Sequence, residues 1–77
     1  MPRRQTNSCH LKRWQPNGGD YYYIILGNGI IKIFPWNDTD FDHEAWYFGN
    51  CFRTHKEAVY AREKIAEVLR TVHQEHA

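Results

Sequence analysis

Residues 21–36, Tyr21-Tyr22-Tyr23-Ile24-Ile25-Leu26-Gly27-Asn28-Gly29-Ile30-Ile31-Lys32-Ile33-Phe34-Pro35-Trp36, decide the fold. Tyr21 to Leu26 is rich in aromatic and β-branched side chains, which fit a pleated strand. Gly27-Asn28-Gly29 then breaks the run, and Asn-Gly predicts the positive φ angles of a tight hairpin turn. Ile30 to Trp36 returns as a second strand. Pro35 has no N–H for a ladder, so it belongs at a strand end or an edge. Side chains alternate between faces. Tyr22, Ile24 and Leu26 therefore point one way, and Tyr21, Tyr23 and Ile25 the other. In the second strand Ile31 and Ile33 oppose Ile30, Lys32, Phe34 and Trp36. Both faces of the hairpin are apolar.

A helix is predicted downstream. Thr54-His55-Lys56-Glu57 has the pattern of a capping box, with the Thr hydroxyl accepting from the backbone and the Glu reaching back. Ala58, Ala61, Ile65, Val68, Leu69 and Val72 follow on one stripe at helical spacing, and the pattern fades after Val72. Lys56, Glu63, Lys64, Glu67 and Arg70 fall on other faces and read as solvated surface. Between hairpin and helix, Asn37 to Glu44 reads as a loop, and Ala45 to Phe48 as a third strand ended by Gly49-Asn50. Upstream, Trp14-Gln15-Pro16-Asn17-Gly18-Gly19-Asp20 is turn chemistry, with Trp14 expected to pack. The predicted class is α+β: a short antiparallel sheet, hairpin plus third strand, packed against one C-terminal helix. Residues 14–77 form the single domain, and residues 1–13 a basic, flexible arm.

Seventy-seven residues make one domain with a thin core. Aromatic residues are 16% of the chain, more than such a core hides, so some belong to an interface. One helix covers one face of the hairpin. The other face then needs the arm, a second copy or a partner, because large apolar patches are rarely left bare.

Net charge is +1, but it is unevenly spread. Residues 1–19 hold Arg3, Arg4, Lys12 and Arg13 and no acid. Residues 20–50 hold five acids against Lys32. Residues 1–19 contain no apolar run, so no signal peptide is expected, and no stretch approaches the roughly 20 apolar residues of a membrane span. Cys9 and Cys51 are expected to be free thiols of a reducing compartment.

Most chemical sites fail on spacing. Asp38, Asp40, Asp42 and Glu44 alternate like a calcium loop. Counted from Asp38, however, the glycine and glutamate positions of an EF-hand hold His43 and Gly49. Cys9, His10, Cys51, His43 and His55 lack the closely paired ligands of structural zinc. Cys51 and His55 are the one nucleophile–base pair close in sequence, in a domain too small for an evident pocket. No metal and no cofactor is expected, and binding is favoured over catalysis. Two binding readings stand. Tyr21, Tyr23, Phe34 and Trp36 would anchor a protein partner or a second copy, with Asp38, Asp40, Asp42 and Glu44 steering a basic surface. Alternatively, Arg3, Arg4, Lys12 and Arg13 would neutralise phosphates while the aromatics stack on bases.

The run Trp14-x-Pro16, Gly19-Asp20-Tyr21-Tyr22-Tyr23-Ile24, Trp36, Phe41-Asp42, and Gly49-Asn50-Cys51-Phe52-Arg53-Thr54 with Glu57-Ala58 resembles a group of small phage and prophage proteins. The resemblance covers residues 14 to about 70. Its most specific piece is Gly-Asn-x-Phe-x-Thr-x-x-Glu-Ala. Members tend to carry an Arg three positions after the Asp of Phe-Asp, where this chain has Ala45. Some proteins from such loci are anti-CRISPR or other anti-defence inhibitors. The resemblance thus implies a phage-encoded binding protein in the cytoplasm of a bacterial host, directed at a host protein such as a defence nuclease. It supplies no catalytic residues.

Overall fold

The computed structural model of the chain describes residues 13–76. The element order is β1 (Tyr21–Ile25), β2 (Ile31–Pro35), α1 (Asp40–Phe48) and α2 (His55–Glu75). This is an α+β fold in which a two-stranded antiparallel sheet packs against the C-terminal helix.

The hairpin forms as the sequence predicts, each strand slightly shorter. Tyr22 pairs with Phe34, Tyr23 with Ile33 and Ile24 with Lys32. The turn differs in detail. Gly29 alone takes the left-handed conformation, at φ +86°, while the Asn28 side chain accepts the N–H of Ile30. Asn28 therefore acts through its side chain, as an Asx turn, and not through a positive φ.

The largest departure is residues 40–48, which form α1, neither loop nor third strand. Thr39 is the N-cap: its hydroxyl accepts the Asp42 N–H, and the Asp42 carboxylate accepts the Thr39 N–H. That is a capping box closed by Asp in place of Glu. Gly49 ends the helix at φ +100°; its N–H reaches the carbonyls of Ala45 and Trp46, and the Asn50 N–H reaches Ala45. This Schellman-type ending needs a residue without Cβ strain. Asp42 points inward where period-two alternation would have sent it out with Asp40. A helix turns about 100° per residue, so Asp40 and Glu44 share a face while Asp42 falls nearly opposite Asp40.

With α1 present, both faces of the hairpin have a neighbour. Tyr22, Ile24 and Trp36 are buried, and Trp14, Leu26, Phe34, Ala45, Trp46 and Cys51 pack on them. α2 crosses both strands, with Ala58 fully buried and the Tyr23 ring edge-on to His55. Its N-cap is Thr54, whose hydroxyl accepts the Glu57 N–H. The helix runs on through Glu75, past the Val72 where its pattern fades. At 21 residues it is about 31 Å long. Each five-residue strand spans about 17 Å. The outer half of α2 therefore overhangs the sheet.

The segment after α1 closes one sheet edge. The Asn50 side chain donates to the Ile25 carbonyl and accepts the Ile25 N–H. Two residues on, Phe52 exchanges both backbone hydrogen bonds with Tyr23. This single bridge, and not Ala45–Phe48, is what the sheet has as a third member. The Gly49-Asn50-x-Phe52-x-Thr54 run thus has one structural task per residue: helix stop, edge pairing, edge pairing, helix start.

Candidate binding surface

The predicted anchors do not make one surface. Register places Phe34 opposite Tyr22, so Phe34 and Trp36 belong to the face under α1, while Tyr21 and Tyr23 lie on the other. Trp36 is buried and Phe34 half-buried. Tyr23 is half-buried beside His55, and Tyr21 is 61% exposed. The expectation that one face of the hairpin lacks a cover holds only in part: α1 supplies a second helix, over the Tyr22 and Phe34 face, while Tyr21 and Ile33 of the other face stay exposed.

The acidic row also divides. Asp42 is buried and accepts the Tyr22 hydroxyl at 2.6 Å and the N–H groups of Asn37 and Thr39. Burial pushes its carboxyl up, but the bonds from Tyr22, Asn37 and Thr39 outweigh that and hold it below its ordinary value. Burial, and then the bond to Asp42, drive the Tyr22 phenol well above its ordinary value. This pair locks α1 to β1 and is not available to a partner. Asp38, in left-handed backbone at φ +62°, lies 2.6 Å from Nε2 of His43, whose ring meets Trp36 edge-on. Asp40 and Glu44 remain exposed.

Arg3, Arg4, Lys12 and Cys9 lie outside the described residues. Arg13 is engaged: its guanidinium donates to the Trp46 carbonyl at 2.7 Å and stacks over the Trp46 ring at 4.1 Å. The Trp46 indole N–H donates in turn to the Trp14 carbonyl. Arg13 thus caps the carboxyl end of α1, where a cation is favoured. Burial, then the Asp42 charge, push the half-buried Cys51 thiol up to about 11. It stays protonated at neutral pH, opposite to the lowered value of a cysteine nucleophile. Among the described residues no three His, Cys, Asp or Glu side chains gather to hold a metal ion, and no helix is long and apolar enough to cross a membrane.

Besides Tyr21, Ile30 and Ile33, which stay exposed on the hairpin, two apolar surfaces emerge on the helices. The outer face of α1 presents Phe41, Tyr47 and Phe48, the last two 74% and 88% exposed, alongside Asp40 and Glu44. The Phe41 ring rests on Phe34, centroids 5.5 Å apart. The overhanging half of α2 presents Ile65, Val68, Leu69 and Val72. A groove of about 600 Å³, lined by Ile25, Leu26, Phe48, Phe52, Ala61 and Ile65, runs between the two. The α1 face was missed because residues 37–44 read as turn chemistry. Thr39-x-x-Asp42 and the following Gly49 were the signals that mark it as a helix. No family model, curated protein or solved structure matches this chain.

Proposed function

We propose that this protein works by binding another protein, with the outer face of α1 as the docking surface. One observation carries the reading: within two turns, a helix fixed at both ends exposes Phe41 and Tyr47 beside Asp40 and Glu44, with no basic residue in its last turn. Aromatic side chains with few rotatable bonds on a rigid element are the chemistry of interface anchors. Flanking carboxylates select a basic counterpart and speed the encounter. The resemblance of residues 14–70 to small phage and prophage proteins supports a setting: a viral accessory protein acting on a basic surface of a host protein, such as the nucleic-acid groove of a defence nuclease.

The nucleic-acid reading is weaker, because Arg13 is spent on Trp46 and the exposed aromatics of α1 stand among carboxylates that repel phosphate.

The test is capture of a partner from bacterial lysate, followed by affinity measurement with the captured protein. Phe41→Ser with Tyr47→Ser should weaken binding by about tenfold or more, as loss of a central anchor does. Asp40→Asn with Glu44→Gln should slow association and flatten its salt dependence. Unchanged affinity in the aromatic double variant would overturn the reading. Tight, salt-steep binding to single-stranded DNA or RNA that survives both variants would put the nucleic-acid reading in its place.

A further inference from the structure

The outer half of α2 is a second apolar surface, distinct from the α1 face in position and chemistry. Ile65, Val68, Leu69 and Val72 stand at i, i+3, i+4 and i+7, inside an arc of about 100°. Val68 and Leu69 are 60% and 55% exposed. All four are aliphatic, and the spacing is that of a helix–helix seam. The occupant follows from charge. Over His55–Glu75 the helix carries Lys56, Arg62, Lys64 and Arg70 against Glu57, Glu63, Glu67 and Glu75. A helix with four charges of each sign draws neither an anionic membrane nor a strongly charged partner.

Its charges are arranged to complement themselves. Lys64 and Glu75 are eleven positions apart, so they point to within about 20° of each other, on the same border of the stripe. In an antiparallel pair related by a two-fold axis, one border of a helix meets the same border of its mate. Centred near Leu69, such a pair sets Lys64 of each copy against Glu75 of the other, twice by symmetry. We infer that two copies of this chain pair through the outer halves of α2, antiparallel, about a two-fold axis near Leu69. The last turn of each α2 then runs back toward the hairpin turn of the other copy. There the groove beside Phe48, Ala61 and Ile65 receives it and covers the exposed Phe48 ring. Phe41, Tyr47, Asp40 and Glu44 stay open on both copies, giving two α1 docking surfaces per assembly.

Sedimentation equilibrium of the full chain tests this at up to roughly 100 µM, where a micromolar pair is nearly saturated. The expected mass is that of two chains. Val68→Glu with Leu69→Glu should give one chain with unchanged far-UV circular dichroism, since both positions are exposed. Lys64→Glu alone and Glu75→Lys alone should each weaken pairing roughly three- to tenfold, and the two together should restore it. A single-chain mass for the wild type overturns the proposal, whether or not the stripe then binds lipid vesicles or another protein. So does a dimer indifferent to Leu69→Glu. Failure of the charge exchange to restore pairing overturns the antiparallel arrangement.

Discussion

α1 and the outer half of α2 both show apolar side chains to solvent, yet they are held in opposite ways. α1 is nine residues long and is capped at both ends. Thr39 and Asp42 close its start. Gly49 and Asn50 close its end, and Arg13 donates to the Trp46 carbonyl in its last turn. Asp42 then ties it to Tyr22 in the core. Among the described residues the polar bonds of the outer half of α2 are its own helical ladder, a Lys64–Glu67 pair at 4.0 Å and the Thr71 hydroxyl on the Glu67 carbonyl, with Ile65 and Leu69 bordering the hairpin turn. Specific polar bonds fix a short helix in one pose, whereas a long helix is carried past the sheet by propensity. Short isolated helices are marginal in water, so α1 depends on its caps, whereas the outer half of α2 continues a helix already packed at its start.

The strongest way to break the contrast is at Asp42. Replacing it with Ala removes the acceptor for the Tyr22 hydroxyl and for the N–H groups of Asn37 and Thr39. At about 1–3 kcal/mol for each buried group left unpaired, the loss should reach roughly 3–5 kcal/mol in chemical denaturation. A loss under 1 kcal/mol would mean that α1 is held by packing alone. Asn50→Ala should follow at about 1–3 kcal/mol, because the Ile25 N–H and carbonyl both lose their partner. Leu69→Ser should change the stability of the single chain by less than about 0.5 kcal/mol, as exposed positions do, when melted at high dilution. A loss as large as that at Asn50 would show that the overhang is packed within one copy.

Acid sharpens the same comparison. The Asp42 carboxyl titrates lower in the folded chain than in the unfolded one, so the unfolded state takes up the proton first. Its stabilising contribution is full above the ordinary carboxylate value of about 3.9 and is lost as pH falls through the depressed folded value. Wild type and Asp42→Asn should therefore converge in stability below about pH 4. A gap that stays constant from pH 7 to pH 3 would remove the charge of Asp42 from the account.

The hairpin and the start of α2 were legible because each rests on local rules: β-branched runs about a glycine turn, and Thr54 ahead of a stripe containing Ala58 and Ala61. α1 was not, for a reason confined to a few residues. Asp38, Asp40, Asp42 and Glu44 alternate with period two and look alike in sequence. Their fates separate once Thr39 bonds the Asp42 N–H and commits the chain to 3.6 residues per turn. Asp42 enters the core and the other three reach solvent, Asp38 while paired with His43. The mixed set of Tyr21, Tyr23, Phe34 and Trp36 failed for a similar reason. Pairing register, set by a three-residue turn, decides which side of the sheet each ring takes, and that register is a property of two strands together.

The Asn50 carboxamide carries a last consequence. By meeting both backbone groups of Ile25, it imitates a neighbouring strand one residue long, and Phe52 supplies the rest. The outward backbone groups of Tyr23 and Ile25 in β1 are thereby paired, while Ile31 and Ile33 of β2 turn their amides outward, unclaimed among the described residues. Deuterium should enter the two strands at very different speeds. Edge-to-edge stacking of these molecules is expected to start from the β2 side, where the open amides are.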